Sequence, residues 1–463
     1  MSHDAPHPIS DPDGTVGVIG TGAIGSRMVR RLLANGRRVV AYDLDPAALE
    51  PLRGQGADLA DSPAAVAARS RTVITCVTDD AAVERALLGP DGVIAAAPPG
   101  TLVVETTTST PATTRRVAAA LAPRGVAVVD APVSRGVPAA EAGTLSIMAG
   151  GDSDAVDRAL PVLGLLGTDI VRTGPLGTGH IAKAMNMLVL GVNLLAAAEV
   201  LALGRRLGLD AEALVGTINA GPAESFMTSN HLPKYVLTER FDSTFTLGLM
   251  LKDLRVATRI AHDQGLPALF GTRVEEVYAL AAGHGMAPQD NTRIVPFVAA
   301  LSAGPPVPAA AGLDGEREKA LAGLLAATTL LGTLEACLIG AGAGLAPEAL
   351  VAVLNVSSGR SRLSETVIPR DLLSGRFDSG QPLRRLHRAA QEAGRAARER
   401  GVPLLVSGLT LDLLAIALAA GGPDQDVTRL AGTMERLMGL CLPRAADGAS
   451  LESADFPGPG TPA

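Results

Sequence analysis

Three groups of residues in this 463-residue chain have the types and spacing for chemistry. The first is an amine. The chain carries only four lysines, Lys183, Lys234, Lys252 and Lys319, against thirty-six arginines. A guanidinium stays protonated whereas an ammonium can be made to lose its proton, so a chain that writes nearly every cation as Arg is expected to keep Lys where a titrating amine is needed. Lys183 stands out because it lies near the start of residues 177–208, an unbroken stretch that reads as one long helix ending at a leucine-glycine stop. A solvent-facing cation at a helix start is the ordinary alternative. The second group is the glycine turn Gly20-Thr21-Gly22-Ala23-Ile24-Gly25, whose backbone suits a pyrophosphate. The third is the loop from Asp130 through Ser134, Arg135 and Gly136, rich in donors and glycine, which suits an anionic carboxylate unless it is a plain turn.

These groups need elements to hold them. Residues 15–19 (TVGVI) are a short apolar β-rich run, followed at once by the glycine turn and a helical pattern over 28–33. Strand, glycine turn and helix is the order a dinucleotide fold requires. A second strand, 38–42, ends in Asp43, eighteen residues past Gly25, where a carboxylate can bind both ribose hydroxyls and repel a 2′-phosphate. NAD is therefore preferred over NADP. Strand-like runs recur at 72–77, 101–105 and 126–130 with helical or turn segments between, which predicts a parallel sheet covered on both faces. Ligands sit at strand ends on one edge of such a sheet, so Cys76-Val77-Thr78, Glu105 through Thr108 to Ser109, and Asp130 to Ser134 are site candidates.

Composition narrows the class. With 47% hydrophobic but 2% aromatic residues and no Trp, the cores must be built from Ala, Val, Leu and Ile. A net charge of −7 and the lack of any basic cluster interleaved with aromatics argue against nucleic acid or an anionic membrane surface as partner. Cys76, Cys337 and Cys441 are far apart, the seven histidines are scattered, and neither set has metal-ligand spacing, so no metal is expected and a cytoplasmic setting fits. The apolar runs at 184–204 and in the 320s to 339 contain Asn186, Asn193, Glu199 and Glu335, and are expected to be buried helices rather than membrane spans.

Five motifs in order carry a resemblance. The glycine turn, residues 105–111, the segment DAPVSRGVPAAEAGTLSIMAGG (130–151), GTGHIAKAMN (177–186) and LKDL (251–254) together resemble the β-hydroxyacid dehydrogenase family, over roughly residues 15–300. The resemblance implies that Gly20 to Gly25 and Asp43 hold the cofactor, with Val77 and Thr78 beside it, and that Thr108 lies near the nicotinamide. It implies that Ser134 and the amides after it, Arg135 and Gly136, grip a substrate carboxylate. Lys183 is then the general acid/base and Lys252 lines the cleft. Two positions depart from the family pattern. Arg135 replaces the usual first glycine after the serine, which raises the expectation of a second anionic group on the substrate, with a water-facing Arg135 as the alternative. The substrate-binding Asn expected four residues after the Lys is Met187, and Asn186 stands one place early, leaving it as the candidate for that role.

The second half of the helical region repeats the first. A constant shift of 136 places residues 207–219 on 343–355, RFDS at 240–243 on RFDS at 376–379, Glu199 on Glu335 and Lys183 on Lys319. The predicted architecture is an α/β Rossmann domain (15–176), a first all-α copy (177–301), a linker (302–316) and a degenerate second all-α copy (317–439), between disordered ends at 1–14 and 440–463. Copy two writes Arg388-Ala389 for Lys252-Asp253 and Ala322 for Asn186, and its Lys319, beside Glu316 and Glu318, reads as a surface charge. It is expected to pack on copy one as a built-in partner, giving a monomer with an internal pseudo-dimer or else a homodimer. The whole reads as an NAD-dependent oxidoreductase acting on a small anionic hydroxy acid or its semialdehyde. An imine reductase on the same scaffold, or a dinucleotide-binding sensor without turnover, is the alternative.

Overall fold

The structure, a computed structural model, describes residues 14–302 and 315–444. Five parallel strands form the sheet that the sequence predicts: β1 (Val16–Ile19), β2 (Val39–Tyr42), β4 (Thr72–Thr75), β5 (Leu102–Glu105) and β6 (Ala127–Asp130). The two-residue β3 (Asp58–Leu59) extends one edge in the same sense. The strand interiors are apolar because both faces of the sheet are covered, and the polar residues Thr75, Glu105 and Asp130 come at strand ends. Val18, Ile74 and Val104 face one core, and Ile19, Val73 and Val103 the other.

Besides β3, three further strands lie beyond the predicted set. β7 (Val133–Ser134) and β6 pair antiparallel with β8 (Leu145–Gly150), and β8 pairs in parallel with β9 (Gly167–Gly174), giving the order β3-β2-β1-β4-β5-β6-β8-β7 with β9 on β8. β8 is buried at all six positions, so it lacks the alternation that marks a half-exposed strand. This extension carries Ser134 in register with Ser146.

Among the described residues every element after β9 is a helix, and these helices recur at the predicted shift. Thr178–Arg206 corresponds to Gly315–Gly342, Ala211–Ala220 to Pro347–Asn355, Leu247–Asp263 to Leu383–Arg400, and the 3₁₀ turn Asn291–Arg293 to Val427–Arg429. Local hydrogen bonds repeat as well. Asp290 accepts from Thr292 and Ser243, and Asp426 accepts from Thr428 and Ser379. The two long helices pack against each other in one continuous core that takes in both helical sets. Both are apolar and long enough to cross a bilayer, and both are buried here inside protein.

A reciprocal exchange locks the two sets together. The Glu199 carboxylate accepts from the Val406 and Ser407 amides, at 2.7 and 2.9 Å, at the start of helix Ser407–Gly421. Glu335 accepts from Phe270 and Gly271, both at 2.8 Å, at the start of helix Leu269–Ala281. Each long helix thus satisfies amides that the other set's helix leaves unpaired at its first turn.

Two predicted boundaries move. The second set begins inside the expected linker, at Gly315, and most of 302–316 lies outside the described residues. Residues 440–444 are ordered rather than disordered: Leu442 is buried, its amide bonds Glu435 at 2.9 Å, and Arg444 pairs with Glu435 and lies over the Phe377 ring. The expected disordered ends at 1–13 and 445–463 lie outside the described residues.

Candidate functional site

The glycine turn follows β1 and opens helix Gly25–Ala34. Gly20 has φ +91°, in the left-handed region, and a Cβ there would run into the Cys76 carbonyl oxygen, so neither the turn nor its closeness to β4 allows a side chain. A Cβ on Gly22, by contrast, would meet nothing within 4 Å, and no side chain caps the helix start at Ile24. The open approach and uncapped amides fit a pyrophosphate. Asp43, at the end of β2, accepts from the Thr21 amide at 2.6 Å, the Thr21 hydroxyl at 3.1 Å and the Asp45 amide at 3.0 Å. That holds its carboxylate beside the turn, where an adenosine ribose would lie. Val77 and Thr78 follow β4, with the Val77 amide bonded to Thr107 Oγ1 at 3.1 Å.

The long helix is aimed by the sheet. Asp130, the last residue of β6, accepts from the Gly177 amide at 2.7 Å and the His180 amide at 2.9 Å, capping the helix from outside. The His180 imidazole meets Glu105, the last residue of β5, at 2.6 Å in a fully buried ion pair. Burial pushes His180 down, but the neighbouring carboxylates of Glu105 and Asp130 outweigh it and hold the imidazole above its ordinary value. Two strand ends therefore fix the first turn of the helix, and Lys183 is one turn further on.

Lys183 is buried, with 7% of its surface exposed. Burial and, more weakly, the charge of Lys252 pull its pKa below the ordinary 10.5, while Asp253 opposes them; the net shift is downward. Lys252 pairs with Asp253 at 3.1 Å and reaches the Thr108 carbonyl at 3.4 Å, bridging the helical set to the β5 edge. A cavity of about 280 Å³ opens beside it, between Asp80 and Thr110 on one side and Lys252, Arg255 and Arg259 on the other.

The loop after Ser134 differs from expectation at Arg135. Ser134 is buried on β7, and Gly136 begins the short helix Gly136–Ala142. Arg135 takes φ +78°, a conformation costing a residue with a Cβ about 1–2 kcal/mol. Its guanidinium is not free for a second anionic group and does not lie loose in water. It binds Asp169 at 2.6 Å, the Thr144 carbonyl at 3.1 Å and the Val356 carbonyl at 3.1 Å. It acts as a clamp, and only the backbone at Arg135 and Gly136 remains for a carboxylate.

Asn186 is likewise committed. Its Nδ2 donates to Ser358 Oγ at 3.1 Å and its Oδ1 accepts from the Gly359 amide at 2.8 Å, both in the second helical set. Both polar ends of the side chain are engaged, so it does not stand in for the missing Asn at Met187 as a free substrate ligand. Sequence reasoning gave no weight to residues 356–359, although the repeat itself held a signal. The shift that matches so many positions there sets Val-Ser-Ser-Gly against Ala-Gly-Pro-Ala at 220–223. Lys319 pairs with Glu316 at 2.8 Å on the surface, consistent with its reading as a surface charge.

Comparison with known proteins agrees with this layout. Residues 15–174 match the family model for the NAD-binding domain of 6-phosphogluconate dehydrogenase. Residues 177–298, and again 314–434, match that for the NAD-binding domain of NADP-dependent 3-hydroxyisobutyrate dehydrogenase. The chain is 32% identical over 280 residues to 2-(hydroxymethyl)glutarate dehydrogenase of Eubacterium barkeri, covering 60% of this chain and 93% of that protein. It is 31% identical over 289 residues to human mitochondrial 3-hydroxyisobutyrate dehydrogenase, covering 61% and 86%. Among solved structures, 3-hydroxyisobutyrate dehydrogenase of Mycobacterium tuberculosis with L-serine superposes with a TM-score of 0.58 at 30% identity, over 62% of this chain and 99% of that one. Psf3 in complex with NADP+ and 2-OPP gives 0.56 at 28%, over 61% and 99%.

Proposed function

The chain belongs to the β-hydroxyacid dehydrogenase family, and we propose that it passes hydride between NAD and a small β-hydroxy acid or its semialdehyde, with Lys183 as the general acid/base. The observation that carries this reading is a buried amine of lowered pKa, one turn beyond a helix start pinned to the β5 and β6 strand ends. In oxidation the neutral Lys183 Nζ takes the hydroxyl proton as the C–H hydride leaves; in reduction the ammonium returns a proton to the carbonyl oxygen. The nicotinamide supplies the hydride acceptor or donor when bound. Ser134 and the backbone at Arg135 and Gly136 would hold the substrate carboxylate. The turn from Gly20 to Gly25, Asp43, Val77, Thr78 and Thr108 would hold the dinucleotide. NAD is the proposed partner because Asp43, fixed beside the turn by the Thr21 and Asp45 amides, repels a 2′-phosphate.

The second helical set serves, in this reading, as a built-in partner for the first, joined by the Glu199 and Glu335 exchange. One observation favours a second reading, a dinucleotide-binding protein without turnover: Met187 holds the family's Asn position and Asn186 is engaged elsewhere. NAD and NADP reduction across a panel of 3-hydroxy acids separates the two. We expect turnover with NAD, and Lys183→Ala should lower kcat at least a thousandfold while NADH binding, read by fluorescence, stays within threefold. A Lys183→Ala enzyme of unchanged rate would remove the amine from its role.

A further inference from the structure

Residues 356–359 join helix Pro347–Asn355 to helix Arg362–Glu365 in the second helical set, yet beyond local backbone bonds each of the four makes a polar contact with the first half of the chain. The Val356 carbonyl accepts from Arg135 Nε at 3.1 Å, beside Ser134. Ser357 Oγ lies 2.8 Å from Ser146 Oγ, on the residue in register with Ser134. Ser358 Oγ and the Gly359 amide bind the two ends of the Asn186 carboxamide, three residues beyond Lys183. The loop thus spans from the substrate loop to the Lys183 helix.

The fit is close and anchored. A Cβ on Gly359 would stand 2.8 Å from Asn186 Oδ1 and 2.6 Å from a Leu354 methyl, so no larger residue fits without moving Asn186. Immediately downstream, Phe226 donates to the Arg360 carbonyl at 2.9 Å, Arg362 donates to the Glu224 carbonyl at 2.9 Å, and the Arg360 guanidinium binds Glu224 and Glu365.

The repeat supplies an internal control. At the pseudo-equivalent place, residues 220–223 are Ala-Gly-Pro-Ala, without a hydroxyl, and the counterpart of Asn186 is Ala322. Helix packing alone therefore does not require this polar loop. It occurs at the one of the two places that lies beside a buried lysine.

We propose that residues 356–359 form a wall of the substrate pocket, with the Ser358 hydroxyl donating to the carboxylate of the bound hydroxy acid. Ser358 Oγ accepts from Asn186, so its own proton points elsewhere; the side chain is half-buried, and among the described residues no protein acceptor takes that proton. Asn186 is then a positioning residue that sets the loop, and the donor that Met187 cannot offer comes from the other helical set. The proposal rests on the reading of Lys183 and Ser134 as the substrate site.

Two measurements on the full chain test it. In steady-state oxidation of 3-hydroxyisobutyrate, Ser358→Ala should raise KM about tenfold with kcat changed less than threefold, the effect of one hydrogen bond to a charged group. Gly359→Ala, which displaces Asn186, should move KM in the same direction. Titration of 3-hydroxypropionate into the NADH-saturated protein reads the carboxylate site without turnover and should weaken by the same factor in Ser358→Ala. Binding that weakens in Ser358→Ala, where the wild type itself turns nothing over, keeps the loop and overturns the dehydrogenase reading. Binding unchanged within twofold in Ser358→Ala, or no binding to the wild type, overturns the loop.

Discussion

The proton affinity of Lys183 is set by its neighbours. Burial and the Lys252 charge lower its proton affinity, and Asp253 raises it. Removing Lys252 as Lys252→Met should therefore move the acid limb of the kcat/KM profile for oxidation to higher pH, because the amine must be neutral to accept the proton. Asp253→Asn should move the same limb to lower pH. Opposite displacements in the two pH profiles check the assignment; a shared direction, or none, would place the titrating group elsewhere. Much of this residue-scale arrangement was legible in the sequence, since lysine scarcity singled out Lys183 and the glycine turn and Asp43 stood at readable spacing. The placement of Arg135 is not legible in the sequence, for a physical reason. Besides the Thr144 carbonyl nine residues on, its partners are Asp169, thirty-four residues on, and the Val356 carbonyl, 221 residues on, and no local pattern announces these two. The Glu105–His180 pair escaped likewise, as two residues from distant segments that only the sheet edge brings together.

At the scale of elements, the exchange of Glu199 and Glu335 sets how the two long helices dock. Burial pushes each carboxyl from 4.5 up to about 7, held back by the amides each one accepts from. A folded pKa above the unfolded one gives a contribution to stability that is full below about 4.5, declines as pH rises, and is lost above about 7. Urea unfolding of the wild type between pH 5 and 8 should show this decline, and the Glu199→Gln, Glu335→Gln double variant should show a flatter profile. Each Gln offers one acceptor oxygen to two amides, so each single variant should also lose about 1–3 kcal/mol at pH 6. The repeat was legible because a constant shift of 136 survived without gaps. The β7 to β9 extension was not, because a fully buried strand has no alternation to read, and residues 440–444 looked like tail although Glu435 and Phe377 hold them down.

Across the whole molecule, one nucleotide-binding sheet serves two helical sets. The expected solution species is a single chain binding one NADH, checked by sedimentation with fluorescence titration. A dimer whose first helical sets touch each other directly would contradict the internal pairing. Ending the chain at residue 302 would strip the Gly315–Gly342 helix from the apolar Thr178–Arg206 helix. Such a truncated chain is expected to self-associate or precipitate, read by light scattering, since an uncovered apolar face of that length seeks a second copy.

The tandem arrangement also changes what a mutation does. In a symmetric pair of identical subunits every substitution at the seam is made twice, and both ends of the two-fold must tolerate it. Here the loop at 356–359 and its counterpart at 220–223 are encoded separately, so one carries hydroxyls on the lysine side while the other carries none. With both halves in one polypeptide the seam has no mirror image to satisfy, and a substitution on one side leaves the other unchanged.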